Sequence, residues 1–190
     1  EFAGRGVSYC AVCDGAFFRN RKLLVVGGGD SAVEEALFLT QFASEVVIVH
    51  RRDELRAQKI IQDRAFANPK ISFLWDSVVT EIKGNKMSMT GAIIENVRTK
   101  EIHEAAAGGI FIYVGLDPLT EAFKDTGITN EDGWIITDTQ MRTSVPGVYA
   151  VGDVREKELR QVTTAVGDGS IAGQQVFQFI EEQKDPKTTV

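Results

Sequence analysis

The run Lys22-Leu23-Leu24-Val25-Val26 ends in Gly27-Gly28-Gly29 and passes at once into Asp30-Ser31-Ala32. A short, fully apolar run of this kind suits a parallel strand buried on both faces. From Asp30 to Phe42 the positions Ala32, Val33, Ala36, Leu37, Leu39 and Thr40 recur at helical spacing, which predicts a helix. A β-branched run, Glu45 to Val49, and a second helical stretch, Asp53 to Phe66, follow, closed by Asn68-Pro69. Strand, helix, strand, helix in this order is a βαβ unit, which prefers a parallel sheet with right-handed crossovers.

The rest of the chain reads less uniformly. Ile71 to Ala106 carries short strand signals separated by Gly-Asn and Met-Thr-Gly turns, predicting an antiparallel meander. Gly109 to Val114 reads as another buried strand, and Leu116-Asp117-Pro118 as a boundary that divides the chain into residues 1–115 and 116–190. Beyond it, Gly133 to Thr137 and Val148 to Val151 read as strands, with Pro146-Gly147 between them. Gly169 to Glu182 reads as a helix whose apolar face is Ile171, Ala172, Val176, Phe179 and Ile180. The polar tail, Lys184 to Val190, is expected to fray.

Composition narrows the function classes. At 43% hydrophobic and 25% charged residues the chain is too balanced for disorder, and 190 residues support one good core or two modest ones. A net charge of -6 argues against a general nucleic-acid binder. No apolar run approaches the roughly 20 residues of a membrane span. The opening Glu1-Phe2-Ala3-Gly4-Arg5-Gly6-Val7 has no basic-then-apolar export signal, and it reads like the middle of a longer protein. Both cysteines fall in one C-x-x-C, a usage that points to a reducing cytoplasm and a redox role.

Gly27-x-Gly29-x-x-Ala32 between a strand and a helix fits the dinucleotide fingerprint. Its first glycine makes the tight turn, the next lets backbone approach a pyrophosphate, and Ala32 lets the helix pack close. The helix start offers N–H groups and a positive dipole end to the anion. An ordinary glycine turn would share this pattern, so the second strand end matters. An enzyme preferring the unphosphorylated cofactor places Asp or Glu there for the ribose hydroxyl. Here stand His50, Arg51 and Arg52, with Arg56 close behind. A merely solvated basic helix start would set cations against the helix dipole, whereas guanidinium groups grip a 2′-phosphate in bidentate fashion. The residues therefore select NADPH over NADH.

In Cys10-Ala11-Val12-Cys13 the two-residue gap lets both sulfurs share one turn and cycle between dithiol and disulfide. Structural zinc needs four Cys or His ligands, and His50 and His103 lie far off, so no metal is expected. Two inert buried thiols are the plainer alternative. Asp14, beside Cys13, favours exchange chemistry as a group able to move the proton, although it would serve equally as a turn cap.

Taken together, Cys10-Ala-Val-Cys13-Asp14-Gly15, Gly27-Gly-Gly-Asp-Ser-Ala32, His50-Arg-Arg-Asp-Glu-Leu-Arg56, Gly115-Leu-Asp-Pro118 and Gly152-Asp153 resemble the bacterial-type, low-molecular-weight thioredoxin reductases, over essentially the whole chain. The resemblance implies an α/β chain: a Rossmann-like, three-layer nicotinamide-binding domain with an antiparallel meander, residues 1–115, and the C-terminal part of an FAD-binding domain of the two-dinucleotide-binding-domain flavoprotein type, residues 116–190. It implies electrons passing from NADPH to FAD, then to the Cys10/Cys13 disulfide, then to thioredoxin, in a cytoplasmic homodimer that binds neither nucleic acid nor membrane. Cys13 would face the flavin, Cys10 would attack thioredoxin's disulfide, and Asp14 would be the associated acid. Gly28, Gly29, Asp30 and Ser31 would hold the pyrophosphate, with His50, Arg51, Arg52 and Arg56 around the adenosine phosphate. Asp153, after Gly152, would bind the ribityl chain, and the helix start Arg160-Gln161-Val162 the isoalloxazine. Domain rotation would hinge near Gly4-Arg5-Gly6 and Gly115-Leu116. The other FAD fingerprint would belong to an N-terminal segment outside this sequence. Two alternatives stay open: the flavoprotein reductase subunit of an alkyl hydroperoxide peroxidase system, and an NADP(H)-binding piece without turnover.

Overall fold

A computed structural model describes residues 1–184, so most of the predicted polar tail lies outside the described residues. The chain forms two compact units, Glu1–Gly115 and a second beginning at Leu116.

The first unit is built on five parallel strands: β1 (Val7–Ser8), β2 (Lys22–Val26), β3 (Glu45–Val49), β4 (Ile71–Leu74) and, after three further strands, β8 (Gly109–Ile112). Their order is β1-β8-β2-β3-β4. Successive side chains leave opposite faces of such a sheet, which explains why the runs are apolar throughout. Leu23, Val25, Val46, Ile48 and Phe111 pack in one cluster with residues of α2 (Asp30–Leu39) and α3 (Lys59–Phe66). Leu24, Val47, Val49 and Ile110 pack in another with Met89, Ala92 and Ile94 of β6 (Met89–Asn96). That second layer is an antiparallel sheet of β5 (Ser77–Gly84), β6 and β7 (Ile102–Ala106). Helices, parallel sheet and antiparallel sheet give three layers. Burying each Leu, Ile or Phe of the middle layer stabilises the unit by roughly 1.5–3 kcal/mol, which makes this sheet the rigid support of everything at its rim.

Four boundaries differ from the sequence reading. The helix from Asp30 stops at Leu39 rather than Phe42, because Phe42 and Ala43 both donate to Leu39 O at 3.0 and 2.9 Å and turn the chain. The helix expected from Asp53 starts only at Lys59. The loop before it is held open by Arg56 and Ala57, whose N–H groups donate to Gly28 O at 2.7 and 3.1 Å. Ile71–Leu74 is no part of the meander; it extends the parallel sheet beside β3, with Val46 opposite Ile71. The strand from Gly109 ends at Ile112.

The second unit departs further. Gly133–Thr137 and Val148–Val151 are not strands: Ile135 makes single bridges to Thr129 and Arg155, and Tyr149 one to Arg142. A ladder needs an adjacent strand on which to continue, and the small core of Ile128, Ile135, Ala150 and Val154 organises none. The final helix, α4 (Val162–Lys184), is longer than expected and faces inward differently. Its buried residues are Asp168, Ala172 and Gln175, one stripe at helical spacing that is mostly polar. Ile171, Val176 and Ile180, expected on the apolar face, are exposed. The inner contacts are hydrogen bonds: the Arg142 guanidinium donates to Gln175 Oε1, and Gly152 N–H to Asp168 Oδ2 at 2.9 Å. Among the described residues no helix is long and apolar enough to cross a membrane.

Candidate functional site

Parallel pairing puts all five carboxyl ends on one rim of the sheet, and each chemistry-bearing segment singled out in the first unit lies there. The redox turn follows β1, the glycine turn β2, the basic loop β3, and Tyr113 to Gly115 β8. This is the rim at which open α/β sheets bind ligands.

Cys10 and Cys13 form a disulfide across the short helix α1 (Ala11–Asp14), with Cα atoms 5.3 Å apart. Ser8, the last residue of β1, organises the turn. Its Oγ accepts Cys10 N–H at 3.1 Å and donates to Asp14 Oδ2 at 2.7 Å. The Asp14 carboxyl is therefore tied back to the strand. Cys13 is exposed and Cys10 half-buried, so exposure within this chain does not select Cys10 as the attacking thiol. Tyr9, Val12 and Phe17, in and near the turn in sequence, are exposed side chains.

In the glycine turn each residue has its own reason. Gly27 has φ +145°, and a Cβ there would lie 2.4 Å from Tyr113 O and 2.7 Å from Ala32 Cβ. No side chain fits, and the third small residue is needed because strand and helix approach so closely. A Cβ on Gly28 would strike the His50 ring at 2.4 Å. Gly29, at the N-cap of α2, faces open space. The result is bare backbone at a helix start, the feature an anion requires.

His50 is buried against this turn, and among the described residues its Nε2 has no hydrogen-bond partner. Burial, then the charges of Arg56, Arg52 and Arg51, push its pKa down, so the imidazole is neutral at pH 7. Arg51, Arg52 and Arg56 are exposed on the loop. The Asp30 carboxylate accepts Gln58 N–H at 2.6 Å and fixes the far end of the basic loop. Asp53, the acid inside the loop, pairs with Arg98 at 2.6 Å, and Arg98 also holds Asp76 at 2.8 Å. The hydrogen bond and charge of Arg98 lower the Asp53 pKa, and the pairing neutralises an acid that would repel a phosphate. A cavity of about 280 Å³ lined by Gly27, Gly28, His50, Arg51, Arg56 and Tyr113 opens here.

In the second unit, Gly152 has φ +74° and Asp153 is exposed. Asp168 Oδ2 accepts from Gly152 N–H and from Lys157 Nζ at 2.8 Å, while Oδ1 takes Arg155 at 2.9 Å. The Arg160 guanidinium lies 3.9 Å over the Trp134 ring and donates to Asp153 O at 3.3 Å. Gln161 N–H donates to Thr164 Oγ1 at 3.2 Å, and Val162 begins α4 largely exposed. Gly115, with φ +108°, ends the first unit.

Sequence reading missed Ser8, Tyr113, Arg98 and Asp168. Ser8 alone had a local signal, as a hydroxyl two residues before Cys10. The others meet their partners only through the fold.

The comparisons agree with this geometry. The family model described as pyridine nucleotide-disulphide oxidoreductase matches residues 1–169, and the chain belongs to that family. It is 57% identical over 185 residues to a thioredoxin reductase of Listeria monocytogenes, covering 97% of this chain and 58% of that protein. To a thioredoxin reductase of Bacillus subtilis it is 54% identical over 190 residues, covering 100% of this chain and 60% of that one. A thioredoxin reductase structure from Streptococcus pyogenes superposes with a TM-score of 0.89 at 66% identity, covering 94% of this chain and 58% of that chain. The chain thus spans well under two thirds of the relatives it matches.

Proposed function

We propose that this chain is the nicotinamide-binding and redox-disulfide portion, with part of the flavin domain, of a cytoplasmic, dimeric NADPH-dependent thioredoxin-disulfide reductase. The observation that carries the reading is the placement of a C-x-x-C disulfide, a bare glycine turn and a basic loop on one rim of one parallel sheet. The relatives named thioredoxin reductase support it at 54% and 57% identity.

In this reading Gly28, Gly29 and Ser31 hold the pyrophosphate of NADPH through backbone and helix start, with Asp30 bracing the loop. Arg51, Arg52 and Arg56 hold the 2′-phosphate, and neutral His50 supports the turn from below. Bound FAD would supply the hydride-accepting, two-electron chemistry between nicotinamide and disulfide. The exposed Asp153 and the start of α4 suit its ribityl chain and ring. The sequence carries one glycine fingerprint, and NADPH claims it, so the adenosine diphosphate half of FAD requires residues beyond these 190. Cys13 then takes the electrons and Cys10 passes them on, with Asp14 as proton carrier.

The test is titration of the purified chain. It is expected to bind NADPH, to retain no stoichiometric flavin and to show no disulfide turnover by itself. Arg51→Ala or Arg52→Ala should each weaken NADPH roughly 10- to 100-fold, with little effect on NADH, because only the phosphorylated ribose meets the guanidinium groups. Equal losses for both cofactors in calorimetry would refute the basic-loop assignment. Stoichiometric flavin with turnover in this chain alone would refute the division of labour.

A further inference from the structure

Arg98 lies outside the basic loop, on the turn between β6 and β7, and reaches across to it. Asn96 shapes that turn: its Oδ1 accepts the N–H groups of Arg98 and Thr99, each at 2.9 Å. Asn96 stands opposite Ser77 at the start of β5, which brings the turn beside the β4–β5 connection. From there the Arg98 guanidinium holds two acids by separate nitrogens. Nη2 meets Asp53 Oδ2 of the basic loop at 2.6 Å, and Nε meets Asp76 Oδ1 at 2.8 Å. The Asp76 side chain is only 17% exposed, so one edge of the guanidinium is anchored on the fold while the other engages the loop.

The bridge is not needed to shape the loop. Ser77 N–H donates to His50 O at 2.8 Å and Asp76 N–H to Arg52 O at 3.1 Å, while Arg56 and Ala57 N–H bind Gly28 O. Those backbone bonds hold both ends of the loop without any side chain, and exposed ion pairs add little to stability. Charge is what the bridge changes. Residues 51–56 carry Arg51, Arg52 and Arg56 against Asp53 and Glu54, a net charge of +1, which Arg98 raises to +2. Among the described residues the loop's own guanidinium groups enter no ion pair. The hydrogen bond from Arg98 lowers the Asp53 pKa, so Asp53 is ionised at pH 7 and its charge is met from outside the loop.

We propose that Arg98 is a positioning residue for coenzyme selection: by occupying Asp53 it keeps Arg51, Arg52 and Arg56 uncommitted for a 2′-phosphate. The antiparallel meander thereby takes part in the choice of coenzyme. With Arg98 removed, Asp53 is released to pair with a loop guanidinium or to face the phosphate, and either course weakens the grip. A phosphate monoester carries close to two negative charges at pH 7, so halving the charge of the loop is felt most strongly by that group. The proposal rests on the reading of the basic loop as a 2′-phosphate site.

The experiment is calorimetric titration of this chain with NADPH and with NADH, for wild type, Arg98→Ala, Asp53→Asn and the double variant, at about 20 mM and about 0.5 M salt. At low salt Arg98→Ala should bind NADPH about tenfold more weakly, and the double variant should return to within about twofold of wild type. Asp53→Asn alone should bind NADPH at least as tightly as wild type, and NADH affinity should stay within about twofold throughout. The loss in Arg98→Ala should shrink below about threefold at high salt, as screening removes a charge effect. Wild-type NADPH affinity in Arg98→Ala overturns the proposal. So does a loss that the double variant retains, or one shared equally by NADH, since either marks a structural role. A wild-type chain that binds NADPH no more tightly than NADH overturns the basic-loop reading itself, an outcome distinct from a selective chain indifferent to Arg98.

Discussion

In the flavin-holding reductase proposed above, Cys10→Ser and Cys13→Ser are each expected to lower thioredoxin reduction by roughly a thousandfold or more, since residues that act as a unit fail together. Exchange needs both sulfurs. A thiolate attacks one sulfur of the partner's disulfide and expels the other as a thiolate, and the second protein thiolate then attacks the mixed disulfide and re-forms the Cys10–Cys13 bond. The two variants should nonetheless differ. With Cys13 alone, the flavin absorption spectrum should still respond to ionisation of the remaining thiol. With Cys10 alone, a mixed disulfide to thioredoxin should be trapped and should not resolve. Cys13 is the more exposed residue here, so the experiment decides between access and family role. Trapping through Cys13 rather than Cys10 would reverse the assignment, and near-normal turnover in either variant would end the relay reading.

The second large effect is expected at Asp168. Its side chain is 12% exposed and receives Arg155, Lys157 and Gly152 N–H together, which makes it the polar centre of a unit with little apolar core. Removing one member of such a buried cluster strands the remaining charges, a loss of about 3–5 kcal/mol. Asp168→Ala should therefore release α4, read as faster amide exchange along Val162–Lys184 with the first unit unchanged. The pH dependence has a definite sign. Burial raises the Asp168 pKa, but the hydrogen bonds from Lys157, Arg155 and Gly152 outweigh it and bring the pKa down to about 2, from 3.8. A carboxyl lowered by folding stabilises the fold above its unfolded pKa, and that contribution disappears as pH falls through its folded value. Wild-type α4 should thus lose protection between about pH 4 and pH 2, and Asp168→Asn should flatten that limb. Wild-type exchange rates in both variants would show that the cluster carries no stability.

The glycine turn and the basic loop could be placed from the sequence because each is local: neighbours in sequence are neighbours on the rim. The two-faced burial of Leu23 to Val25 could likewise be read from one run. What escaped the sequence acts across distance. Tyr113 meets Ala11 over a separation of 102 residues, and Arg98 meets Asp53 over 45, by contacts that no periodicity encodes. The start of α3 was misplaced because Arg56 and Ala57 spend their N–H groups on Gly28, a tertiary bond that overrides helical propensity. The second unit was misread for a different reason. Its apolar segments have strand composition, but a strand is a relation between segments, and composition names no partner.

The basic loop also has an engineering meaning. Between His50 and Lys59 it touches the glycine turn and α2 through few bonds, those of Arg56, Ala57 and Gln58, while Leu55 and Ala57 anchor it in the core. A graft that keeps those anchors and rewrites only the outward residues would leave the sheet untouched. On the proposed reading, the segment that sets coenzyme preference would be an interchangeable cassette, open to exchange by selection or design without refolding the scaffold beneath it.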